Sequence, residues 1–126
     1  MTAGENTARV LVADDDLFVR EMLSMILQEE GYDVLTAEDG RDALEKQKAG
    51  PGLIISDINM PGMTGLDLVR QLRGAGISTP VIILTGGNET DVALEAMKNG
   101  ANSYVVKDEN LQDNIVLSVK KVLEGA

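Results

Sequence analysis

The sequence has 126 residues, with 21 Asp and Glu against 11 Lys and Arg, a formal net charge of −10, and 44% hydrophobic and 25% charged residues. That length and balance fit one soluble globular domain with a sizeable core and exclude a disordered or fibrous chain. The negative charge disfavours nucleic acid and anionic membrane as partners, and the absence of Cys and His excludes disulfides, thiol chemistry, an imidazole base and most zinc sites.

In chain order, residues 1–8 are expected as a loose tail ahead of a single domain over 9–126. No apolar run is long enough to span a bilayer and Met1–Arg9 lacks a signal-peptide core, so a cytoplasmic location without membrane contact is expected. A first strand is predicted over Arg9–Ala13. A helix follows in which Val19, Met22, Leu23, Ile26 and Leu27 share a face, Asp16 caps the start and Gly31 ends the run. Further strands are predicted over Asp33–Ala37, Leu53–Ser56, Val81–Leu84 and Ser103–Val106. Helical spacing returns between and after them, with Ala43 and Leu44, then Leu66, Val69 and Leu72, then Ala93, Ala96 and Met97 up to Gly100, and finally Leu111, Ile115, Val119 and Val122. The runs VLVA, LIIS and VIIL lack polar alternation, as central parallel strands covered on both faces require. Five βα units imply a doubly wound parallel sheet that binds ligands beyond the carboxyl ends of its strands.

At those ends stand Asp14, Asp15 and Asp16, then Asp57, Thr85 and Lys107. Each has a plain reading alone. The Asp run suits a solvated turn or helix cap, Asp57 a turn cap, Thr85 an ordinary strand position and Lys107 a solvated tip. Four strands delivering complementary groups to one edge argue against all the plain readings together. Packing Asp14, Asp15 and Asp57 raises a like-charge conflict that one lysine does not neutralise, and hard oxygen ligands suit Mg2+ (or Mn2+). The set suits phosphoryl transfer with Asp57 as nucleophile, while Lys107 and Thr85 hold phosphoryl oxygens.

The stretches VLVADDD, LIISDINMPGMTGLDL, VIILTG and YVVK, in that order over nearly the whole chain, resemble the receiver domain of two-component response regulators. The resemblance implies a (βα)5 flavodoxin-like fold with strand order 2-1-3-4-5, an arrangement for which a member of this family is a standard example. It implies that Asp57 accepts phosphate, that Asp15 binds the metal directly and Asp14 through water, and that the backbone carbonyl of Asn59 is the third protein ligand. Thr85 and Lys107 match the phosphoryl-binding pair, and Tyr104 the aromatic switch position coupled to Thr85. It also implies a sensor histidine kinase or a histidine phosphotransfer protein as donor in trans, docking at the first helix near Phe18 and Met22. Output would run to an unknown target through the face of the fourth helix, fifth strand and fifth helix, with Leu94, Lys98, Tyr104 and Gln112. A monomer or a phosphorylation-dependent dimer fits, as does either a single-domain regulator or part of a longer one. Such a domain is a signalling acceptor that assists only its own phosphorylation and dephosphorylation.

Local details refine the picture. Pro61 and Gly62 fit a type II turn, and Gly65 allows a close approach where the third helix begins. Asp108 stands where the family usually has Pro, so a trans link after Lys107 is expected, with Asp108 drawing the lysine away from the site until metal and phosphate bind. Gly86 and Gly87 give the fourth loop freedom, and Gly87 with Asn59 leaves an acyl phosphate open to water, which predicts a short-lived phosphorylated state. Two other readings compete. Asp14 and Asp16 form the D-x-D of a haloacid dehalogenase-like phosphatase, which leaves the Asp57–Gly65 stretch unexplained. A flavin module on the same fold lacks its hydroxyl-rich phosphate loop here.

Overall fold

The computed structural model describes residues 8–124. Strands β1 Arg9–Ala13, β2 Asp33–Ala37, β3 Leu53–Asp57, β4 Val81–Thr85 and β5 Ser103–Val106 alternate with helices α1 Leu17–Glu29, α2 Gly40–Lys46, α3 Gly65–Gly74, α4 Thr90–Lys98 and α5 Leu111–Glu124. All pairings are parallel, in the order β2-β1-β3-β4-β5, the flavodoxin-like arrangement expected. The tail expected over residues 1–8 lies outside the described residues except for Ala8, whose carbonyl accepts the Asp33 N–H at 3.1 Å.

Side-chain alternation along the strands divides the core in two. Leu11, Ile54 and Ile83 pack with Ala43 of α2, Leu68 and Leu72 of α3 and Ala96 of α4. Val10, Val12, Ile55, Ile82 and Leu84 meet Leu23 and Leu27 of α1 and Ile115 and Val119 of α5. The central strands β3 and β4, apolar but for Ser56, Asp57 and Thr85, are buried along their whole length, and losing one of their Leu or Ile side chains to Ala costs about 2–5 kcal/mol.

Two strands run one residue further than expected. Asp57 pairs with Leu84 and Thr85 with Val106, so both polar residues are the last rungs of the ladder instead of the first residues of loops. Their backbone is thereby fixed by the sheet.

The ends of the helices follow from local chemistry. The Asp16 carboxylate accepts the Phe18 and Val19 N–H groups at the start of α1. At its end Gly31 takes φ +97°, while the Tyr32 N–H reaches the Leu27 carbonyl. Thr64 and Asp67 form a reciprocal capping box on α3. The Pro61–Gly62 turn differs from the expected type II form. Gly62 has φ +78°, but the closing bond runs from Met63 N–H to the Pro61 carbonyl at 2.9 Å, a tighter three-residue turn.

Candidate functional site

The carboxyl ends of β1, β3, β4 and β5 bring the expected groups together. Asp14 follows β1, Asp57 ends β3, Thr85 ends β4 and Lys107 follows β5. Asp14, Asp57 and Thr85 are buried, whereas Asp15 is exposed. One carboxylate oxygen from each of Asp14, Asp15 and Asp57 lies within 4.8 Å of the others. The Lys107 ammonium sits 2.9 Å from Asp14 Oδ2 and 3.3 Å from Asp57 Oδ1.

This geometry perturbs the charges. Burial first, and then the neighbouring Asp14 carboxylate, push the Asp57 carboxyl up to about 6, against the opposing pull of Lys107 and the Asn59 backbone amide. Burial alone would lower the Lys107 ammonium, but contact with Asp14 and Asp57 outweighs it and raises the group above its ordinary value.

The Asp14 oxygens are placed unequally. Oδ1 accepts the Asp16 N–H at 2.9 Å. Oδ2 is buried and makes no hydrogen bond of acceptable geometry; its contact with the Lys107 ammonium at 2.9 Å is an ion pair. Two buried carboxylates and one exposed carboxylate offset by a single ammonium leave surplus negative charge on oxygen ligands, which fits a hard divalent cation.

Gly65 matters because of what lies beside it. A Cβ there would come within 2.6 Å of the Asp57 carbonyl oxygen, and the Gly65 N–H donates to Ile58 O at 2.9 Å. The close approach expected at this glycine is thus an approach to the strand end that carries the candidate nucleophile.

Asp108 does not draw Lys107 away. Its carboxylate instead accepts the Asn110 N–H at 2.8 Å, which leaves Lys107 paired with Asp14 and Asp57. No cis bond occurs among the described residues, so the Lys107–Asp108 link is trans, as expected. The Lys107 N–H donates to the Thr85 carbonyl at 2.8 Å, tying the two strand ends together.

Sequence reasoning missed several neighbours. Arg20 of α1 donates from Nη1 to the Asp14 carbonyl at 2.7 Å and braces the acidic turn. The Gly86 N–H donates to Glu89 Oε1 at 2.9 Å, and the Gly87 N–H to Thr85 Oγ1 at 3.3 Å. The Thr85 hydroxyl proton thus remains available to another acceptor. No motif advertises these contacts, although Gly-Gly after a strand end marks backbone that side chains can reach.

On the outer faces, Phe18 is exposed and Met22 half-buried, and both line an apolar groove with Met25 and Gln112. Gln112 therefore belongs to the α1 side of α5 and not to the face shared with α4, because its place on the first turn of α5 turns it toward Ile26 and Glu29. Tyr104, Leu94 and Lys98 are exposed, and Tyr104 borders a groove with Asn114, Leu117 and Lys121.

A parallel (βα)5 sheet with this acidic, lysine- and threonine-bearing edge defines a class, and the chain belongs to it: the response regulator receiver domain family, whose model matches residues 10–119. Among individual relatives, it is 38% identical over 117 residues to the C4-dicarboxylate transport transcriptional regulatory protein DctD of Pseudomonas aeruginosa, across 92% of this chain and 25% of that protein. It is 36% identical over 100 residues to the cell cycle transcriptional regulator CtrA of Caulobacter vibrioides, across 79% of this chain and 43% of that one. The chain thus spans less than half the length of these curated relatives. Among solved structures, the chemotaxis response regulator CheY4 of Vibrio cholerae superposes with a TM-score of 0.84 at 40% identity, over 93% of this chain and 99% of that chain.

Proposed function

We propose that this receiver domain accepts a phosphoryl group on Asp57 from a histidine kinase or histidine phosphotransfer protein, with Mg2+ (or Mn2+) as cofactor. The observation that carries the reading is the cluster of buried Asp14 and Asp57 with exposed Asp15 around one lysine, in which buried Asp14 Oδ2 makes no hydrogen bond. Asp14, Asp15, Asp57 and the Asn59 carbonyl would hold the cation. When bound, it supplies positive charge against the carboxylates and the growing charge on the phosphoryl oxygens.

In the transfer, an Asp57 carboxylate oxygen attacks phosphorus in line and forms an O–P bond. The donor's P–N bond breaks, and its electron pair stays on the imidazole nitrogen, which takes up a proton from solvent. Lys107 binds one phosphoryl oxygen through its ammonium and Thr85 another through its hydroxyl proton. The 126 residues contain no histidine, so the phosphohistidine lies outside them. The apolar groove at Phe18 and Met22 supports α1 as the docking side. Phosphate then shifts an existing inactive-to-active equilibrium by binding the active state better, read out at the α4-β5-α5 face with Tyr104 as the switch.

The test is Mg2+-dependent labelling by acetyl phosphate, read by intact mass. Wild type is expected to gain one phosphoryl group and Asp57→Ala none. No gain on wild type, or an equal gain on both, would overturn the assignment.

A further inference from the structure

We propose that Glu89 is a built-in competitor for the phosphoryl site, its carboxylate occupying a backbone donor that faces the Asp57 strand end and would otherwise be open to a phosphoryl oxygen. The inference rests on Asp57 being the acceptor and concerns how readily that site fills.

The argument starts from one peptide plane. In a trans peptide the C=O and the following N–H point in opposite directions. The Thr85 carbonyl faces β5, where it accepts the Lys107 N–H at 2.8 Å. The Gly86 N–H is therefore turned the other way, toward β3, whose last residue is Asp57. One rung earlier, the Leu84 carbonyl is taken by the Ile58 N–H at 2.9 Å, so Gly86 carries the first amide on that side beyond the ladder. It is a donor beside the acceptor, and an anion already sits on it: Glu89 Oε1, at 2.9 Å.

The contact displaces a more usual one. Glu89 is the N-cap residue of α4, yet its side chain makes no capping bond to that helix. A carboxylate at a helix start ordinarily reaches the N–H groups of the first turn. Here it reaches backward, onto Gly86. A Cβ at Gly86 would lie 3.1 Å from the same Oε1, so the missing side chain gives the carboxylate room. Glu89 thus stands in for an anion beside Thr85, adds negative charge to an acidic edge, and couples the start of α4 to the state of the site. Entry of a phosphoryl oxygen at the Gly86 N–H would release Glu89 to solvent or to the first turn of α4.

Initial rates of Asp57 labelling by acetyl phosphate at saturating Mg2+, measured on wild type, Glu89→Ala and Glu89→Gln, test this directly. Glu89→Ala is expected to label about fivefold faster than wild type, the factor that corresponds to one net hydrogen bond no longer in competition. Glu89→Gln, which keeps an acceptor oxygen but loses the charge, should fall between the two. Exchange of the Gly86 amide with solvent, followed by NMR on the unphosphorylated proteins, should be faster in Glu89→Ala. A Glu89 that only supported the loop would give the opposite sign, slower labelling once removed. Equal or slower labelling of Glu89→Ala, with Asp57 still the labelled residue, would overturn the competition alone. If wild type and variant both failed to label at Asp57, the acceptor assignment would fall and this inference with it.

Discussion

Asp57 ionises reluctantly because the fold buries it beside Asp14, and Lys107 offsets that cost only in part. Its carboxyl is raised to about 6, so the folded protein binds the proton more tightly than the unfolded chain. Stability is therefore gained as pH falls through 6 toward ordinary carboxylate values, and the cost of the charge is fully present above it. Without metal, Asp57→Asn is expected to raise the Tm above about pH 7, with the gain shrinking toward pH 4. Thermal scans across that range check it, and a variant less stable than wild type at neutral pH would contradict it. Gly65 provides a second case. Ala at this position places a Cβ within 2.6 Å of the Asp57 carbonyl, so Gly65→Ala should cost about 1–3 kcal/mol in urea unfolding and slow labelling of Asp57. The site carboxylates, Thr85 and Lys107 were legible because each ends a readable apolar run. Arg20 and Glu89 were not, since their partners are backbone groups brought near only by the fold.

The elements themselves were legible from apolar spacing, with the ends of β3 and β4 set by pairing instead of composition. A polar residue reads as loop in a sequence, but the ladder has no preference against Asp57 or Thr85 as a terminal rung. The reverse holds for Arg73, an unremarked position on an amphipathic helix. From α3 its guanidinium donates to the carbonyls of Ile77, Thr79 and Gly100 and to Asn102 Oδ1, fastening the loops that lead into β4 and β5. Arg73→Met should cost about 2–3 kcal/mol by urea unfolding, and Lys should not restore it, because the planar fork and not the charge serves those acceptors. These loops lie at the end of the sheet away from Asp57, so labelling of the folded variant should continue. The β4–α4 loop governs a different quantity. With no side chain at Gly87, water is expected to reach an acyl phosphate formed on Asp57, so labelled protein should lose its phosphate well within hours at room temperature. Retention over many hours, followed by mass, would contradict this.

At the scale of the whole molecule, the net charge of −10 and the three clustered carboxylates act in the same direction. Both favour binding of a cation, and both oppose folding until their charge is offset. Mg2+ at a hundredfold excess over its Kd should stabilise the protein by about 2.7 kcal/mol, raising the Tm by roughly 10 °C for a domain of this size. The shift should be lost in Asp14→Asn, and an equal shift there would place the cation elsewhere.

The strand order carries one more consequence. β1, followed directly by Asp14, and β3 and β4, which end in Asp57 and Thr85, are the three inner strands, while β2 and β5 form the edges. Amides of the inner strands should exchange with deuterium only when the molecule unfolds globally, and those of the edges through smaller openings. Asp57, the proposed acceptor, is then bolted to the slowest-opening unit of the protein. The loop at Gly86, one residue past the same sheet, is held by side-chain contacts to Glu89 and Thr85 and not by the ladder, so it should open on its own and put the boundary between global and local unfolding within the site itself.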